Sequence, residues 1–143
     1  MVTELPKAET ELVTIRYTAS DRVEVRFKSG VRFTADRIVE MMKERARLGA
    51  SGPHRVLMLM PEVIDFDPNM VQVEHYTNVP QPNTEAVAWV AHNLADAHIT
   101  KLVVERGLPT FPWKVFLSEA EARAWLEEPK PGSGVLHVRT GAV

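Results

Sequence analysis

Arg55-Val56-Leu57-Met58-Leu59-Met60 has no polar side chain after its first residue, and prolines stand on both sides of it, at Pro53 and Pro61. An uninterrupted apolar run of this length, bounded by chain breakers, predicts a strand covered on both faces, the kind found inside a parallel sheet flanked by helices. Ala86-Val87-Ala88-Trp89-Val90-Ala91 is a second such run, and Trp113-Lys114-Val115-Phe116-Leu117 reads as a third strand.

The segments around these strands have other periods. In residues 12–18, Val13, Ile15 and Tyr17 alternate with Thr14, Arg16 and Thr18; in residues 22–28, Val23, Val25 and Phe27 alternate with Glu24, Arg26 and Lys28. Alternation on both sides of Ala19, Ser20 and Asp21 predicts an antiparallel hairpin with one solvated face. Ser29-Gly30 ends it. Thr34 is placed to cap a first helix with Asp36 in its first turn, a stripe of Ile38, Met42 and Ala46, and Gly49 as its stop.

Asp67-Pro68 opens a second predicted helix, with Met70, Val73 and Tyr76 on one face. Residues 92–106 hold several β-branched side chains, yet fifteen positions are long for a strand, so a third helix is expected there. Ser118 and Glu121 form a Ser-x-x-Glu capping box for a fourth, with Ala122, Trp125 and Leu126 inside. Trp113 fits a packed strand end or a surface contact. The expected fold class is α/β: an N-terminal antiparallel hairpin, then alternating helices and mostly parallel strands in a mixed sheet, with four helices. The expected division is an N-terminal extension at 1–10, the domain at 11–128, and a linker with a tail or edge strand at 129–143.

The chain has 143 residues, no cysteine and a net charge of -2. One domain of this length buries a sufficient core without staples. Without cysteine there is no disulfide or thiolate–metal site, and a cytoplasmic setting is expected. Residues 1–11 carry Glu4, Lys7, Glu9 and Glu11 and no apolar core, so no signal peptide is expected, and no apolar run approaches a membrane span. A slight acidic excess argues against nucleic acid as the main partner.

The sequence contains no G-x-G-x-x-G, P-loop, G-x-S-x-G or H-E-x-x-H. No catalytic residue, metal site or cofactor is expected. The carboxyl ends of parallel strands are where open α/β folds place ligands. The polar residues following the apolar runs there are Asp65, Asp67, His92, Asn93 and Ser118, the candidate rim for a ligand or partner; helix caps and a His92–Asp96 surface pair explain the same residues without one. A second candidate is a basic face on the first helix, Arg37, Lys43, Arg45 and Arg47, with Arg55 near it in sequence, for an anion or an acidic membrane surface; its plain alternative is a solvated helix face. Met41, Met42, Met58, Met60 and Met70 suit ordinary core filling or the lining of an adaptable pocket.

Ala86-Val87-Ala88-Trp89-Val90, followed by Pro112-Trp113-Lys114-Val115-Phe116 and then Ala122-Arg123-Ala124-Trp125-Leu126, resembles the SpoIIAA-like, STAS-type family in motif and order. The resemblance covers roughly residues 11–128 and implies a mixed sheet with flanking helices, including a helix at 92–106. It also implies protein-partner binding of the kind made by anti-sigma-factor antagonists. Their phosphorylated serine has no counterpart, because residues 61–69 contain neither Ser nor Thr. Likeness within that group to CRAL-TRIO lipid carriers implies an apolar ligand instead. The expected role is therefore a non-enzymatic binding or regulatory module acting through protein contacts, a homodimer included. The alternative is a carrier or sensor of a lipophilic small molecule with membrane-surface contact.

Overall fold

β2 (Val13–Ala19) and β3 (Arg22–Phe27) pair antiparallel, with Val13 opposite Phe27, Ile15 opposite Val25 and Tyr17 opposite Val23. The expected hairpin is therefore present, with its apolar positions on one face and Gly30, at φ 75, in the turn that leaves it. A computed structural model describes residues 4–129 of the chain. The expected linker and tail at 129–143 lie outside the described residues from 130 onward.

From β3 the sheet grows in one direction. β4 (His54–Leu59), β5 (Thr84–Val90) and β6 (Trp113–Phe116) add in parallel. β1 (Lys7–Glu9) pairs antiparallel with β2 on the far side, so the order among the described residues is β1-β2-β3-β4-β5-β6. β1 lies within residues 1–10, the stretch that the sequence reading leaves as an extension. Lys7-Ala8-Glu9 is too short and too polar to announce a strand, and those properties suit an exposed sheet edge.

Parallel crossovers are right-handed as a rule, so successive steps in one direction send every connection over the same face. α1 (Ala35–Leu48) and α3 (Leu94–Arg106) accordingly pack with Val25, Phe27, Val56, Met58, Val87, Trp89 and Val115 in the larger core. The opposite face needs separate cover. α4 (Glu119–Leu126) supplies it, laying Ala122, Trp125 and Leu126 against Leu57, Leu59, Ala88, Val90 and Phe116. Trp113 is 1% exposed, which decides for the packed strand end. Over β2 and β3 this second face stays charged. There Glu24 meets Arg16, Arg26 and, from α4, Arg123. Arg55 belongs to this side and not to the α1 face: its Nη1 donates to the carbonyls of Leu126 and Glu128, closing the C-terminus of α4.

The expected second helix is broken. Asp67 accepts from the Asn69 amide and opens a 3-10 turn, Pro68–Gln72; Val73 is extended, and α2 covers only His75–Asn78. The break lets two backbone groups find partners that a continuous helix would deny them. His75 Nε2 donates to the Met70 carbonyl, and the Tyr76 amide donates to the Gly107 carbonyl. Between β4 and β5 the larger core is thus roofed by an irregular segment, residues 61–74, pinned to the rest by a parallel bridge between Phe33 and Phe66.

Candidate functional site

The carboxyl ends of the parallel strands form the expected rim, and its side chains are occupied in holding the chain. Ser118 Oγ accepts from the Glu121 amide at 3.2 Å and caps α4. Asn93 Oδ1 accepts from the Asp96 amide at 2.8 Å and caps α3, while its Nδ2 donates to the Asp96 carboxylate. Asp96 therefore pairs with Asn93, where the sequence suggests His92. His92 Nε2 donates instead to the Met60 carbonyl at 3.0 Å. Asp67 caps the 3-10 turn, and Asp65 makes an exposed ion pair with Arg32 at 2.8 Å.

The basic face of α1 is not assembled as expected. Arg37 is held by Glu11 and by the Arg32 carbonyl, Arg47 by Glu44, and Lys43 is exposed. Arg45 leaves the face altogether: it is 2% exposed and points into the core. Its position is legible in the helical period, since it follows Ile38 by two turns and Met42 by one on the buried stripe. The charge clustering of its neighbours hides that signal.

Beneath the 61–74 segment, between the sheet, α1 and α3, lies an apolar cavity of about 40 Å³. Phe27, Phe33 and Trp89 close it on the sheet side, Met41 and Met42 come from α1, and Met60, Ile64, Met70 and Tyr76 from the β4–β5 connection; Thr100, Val103 and Val104 come from α3. Four of the five methionines singled out in the sequence line it; Met58 is buried outside the lining. Phe27 stacks on Phe33 at 5.2 Å, and Tyr76 meets Phe111 edge-on at 5.1 Å, which stiffens two of the walls.

Four buried side-chain atoms have no hydrogen-bond partner among the described residues: Arg45 Nε and Nη1, His75 Nδ1 and Trp89 Nε1. Because His75 Nε2 donates to a carbonyl, Nδ1 of the neutral ring is an acceptor. Burial pushes the His75 pKa down, which keeps the ring neutral, and pushes Tyr76 up to about 12. Burial also lowers the pKa of Arg45, and the ionisable groups that oppose this shift are the phenols of Tyr76 and Tyr17, with no carboxylate among them. Trp89 and His75 line the cavity. The sequence places Trp89 in a strand covered on both faces and gives His75 no role, because a cavity made by four distant segments has no local signature.

No group of three or more His, Cys, Asp or Glu side chains among the described residues is placed to hold a metal ion, and no helix among them is long and apolar enough to cross a membrane. The family model of a domain of unknown function, DUF7793, matches residues 18–130. No curated protein matches the chain, and no solved structure does.

Proposed function

The chain belongs to the DUF7793 family, and we propose that this member is a non-catalytic binding module that takes a small apolar ligand into the cavity between the sheet, α1 and α3. The observation that carries the reading is the cavity itself: a half-open apolar space whose lining includes Trp89 and His75, each with a buried side-chain nitrogen that has no hydrogen-bond partner among the described residues. A packed core with no ligand to receive has reason to fill such a space and to pair such atoms. The SpoIIAA-like and CRAL-TRIO-type resemblance belongs to the same proposal, since carriers of that type hold apolar ligands.

At about 40 Å³ the space is smaller than the roughly 150 Å³ that holds a benzene ring. Uptake therefore displaces the roof. The 61–74 segment is suited to this, being irregular and joined to residue 33 by a single bridge, and methionine side chains adapt their shape at low cost. The test is a titration with 1-octanol followed by the indole N–H resonance of Trp89, assigned through Trp89→Phe. A saturable shift of that resonance, with those of Trp113 and Trp125 still, is expected. An unmoved Trp89 signal at the solubility limit of the alcohol overturns the reading.

One observation favours protein contacts as a second reading. Val63 is 77% exposed and Leu94 is 53% exposed, and they follow the adjacent strands β4 and β5. Apolar side chains so exposed, one in the β4–β5 connection and one at the start of α3, fit a partner surface, including that of a second copy. Sedimentation at rising concentration tests the self-association arm. A dimer lost in Val63→Glu with Leu94→Glu supports it, and a monomer throughout removes it.

A further inference from the structure

We infer that the ligand of this cavity is an apolar carboxylate, with its charged end paired to Arg45. The inference rests on the binding function proposed above and adds the chemistry of the head group. Arg45 is 2% exposed, and a guanidinium remains charged at any working pH. A buried cation with no anion is among the costlier arrangements in a protein interior. Here Nη2 donates to Thr84 Oγ1 at 2.8 Å, Nε and Nη1 donate to nothing among the described residues, and none of their carboxylates forms an ion pair with the group.

Arg45 is not itself among the residues that line the cavity, but residues beside it are. Met42, one turn before Arg45 on the buried stripe of α1, lines the cavity, and so does Tyr76, whose ionisation responds to the charge of Arg45. Met42, with its flexible thioether, is the side chain that would yield to bring a head group to the guanidinium. The unpaired atoms also say what the head must be. Arg45 Nε, Arg45 Nη1 and Trp89 Nε1 are donors, and only His75 Nδ1 is an acceptor. A ligand that answers them is rich in acceptors and carries negative charge, while the apolar lining demands a hydrocarbon body. An ionised carboxylic acid with an apolar chain meets both demands, and the guanidinium fork matches a carboxylate in geometry.

The test compares decanoate below its micelle concentration, 1-decanol and acetate by calorimetry and by the Trp89 indole signal, in the wild type and in Arg45→Met. Decanoate is expected to bind at least about tenfold more tightly than decanol, the ratio that one charge-assisted hydrogen bond supplies, and acetate only weakly. Arg45→Met should erase the preference while leaving decanol binding in place. Arg45→Lys, which keeps the charge, should retain part of it and guards against a folding defect in the first variant. Equal binding of decanoate and decanol overturns the inference and leaves the apolar-ligand reading standing. Acetate binding as tightly as decanoate also overturns it, because the anion site would then be separate from the cavity. Binding of none of the three overturns both.

Discussion

Arg45 Nη2 donates to Thr84 Oγ1 at 2.8 Å, and that hydroxyl is the one hydrogen-bond partner the guanidinium has among the described residues. A last-turn residue of α1 is thereby tied to the first residue of β5, at the amino end of the sheet. Removing one member of a buried ion pair is destabilising because the other charge is stranded; here no carboxylate among the described residues is paired with Arg45. In the ligand-free protein, Arg45→Met should therefore leave the unfolding free energy from urea titration unchanged or raise it, by up to about 1–4 kcal/mol if relief of desolvation dominates. A clear fall would show that the guanidinium has an anionic partner in the free protein.

Thr84→Val reads the other end of the same contact. It keeps the volume and removes the acceptor, leaving the cation wholly unpaired. A loss of about 1–3 kcal/mol in denaturant unfolding is expected, and Arg45→Met should suppress most of it in the double variant. Additive losses would mean that Thr84 acts through something other than Arg45.

Gly49 follows α1 with φ -85, a conformation open to any residue, so its stop function does not depend on a left-handed backbone. The requirement is space: a Cβ at this position would lie 2.4 Å from His54 Cε1. The ring cannot easily retreat, because it is 3% exposed and its Nδ1 donates to the Gly52 carbonyl at 3.0 Å. Gly49→Ala should cost about 1–3 kcal/mol through overpacking. His54→Ala should rescue part of that loss in a double-mutant cycle, and zero coupling would refute the steric account.

Trp125 is 9% exposed and packs on Phe116 at 5.9 Å between ring centres, in the smaller core beneath α4. Trp125→Ala should cost about 3–5 kcal/mol, the range for deleting a large buried aromatic. A loss well under 1 kcal/mol would mean that α4 does not depend on this face for its docking.

Burial patterns were the most legible part of the sequence. The apolar runs at 55–60 and 86–91 and the alternation at 12–28 are direct records of which faces the strands hide, and the resulting elements stand where those patterns put them. Caps were equally legible at Thr34, Asp67 and Ser118, because a hydroxyl or carboxylate before a helix answers a local backbone need. β1 was not legible, since its identity comes from pairing with β2 and not from its own side chains. The break at Val73 depends on Gly107, far along the chain. The cavity joins four separated segments, and Arg45 was drawn to the wrong side of α1 by the basic residues beside it.

Two buried histidines should make the fold sensitive to acid. Burial is the largest cause pushing both His54 and His75 below the ordinary histidine pKa; nearby Arg45 adds to it at His54, while carbonyl acceptors at Gly52 and Met70 partly oppose it. In the unfolded chain both rings titrate near about 6.5. As pH falls through that value the unfolded chain takes up protons that the native protein refuses, so the unfolded state gains. The stability from the neutral rings is complete above about pH 6.5 and declines below it, by at most about 1.4 kcal/mol per pH unit for each ring. The ion-paired carboxylates Glu11, Glu44 and Glu127 have lowered pKa values, and their contribution is lost only at more acid pH, below the ordinary carboxylate range, which keeps the two effects apart. Urea midpoints measured from pH 8 to pH 5 should be flat at first and then fall. His75→Gln, whose amide nitrogen can still donate to the Met70 carbonyl, should make the fall shallower, and adding His54→Asn, which can still donate to Gly52, should flatten it further. A midpoint that rises on acidification, or a slope untouched by both substitutions, would place the acid sensitivity elsewhere in the molecule.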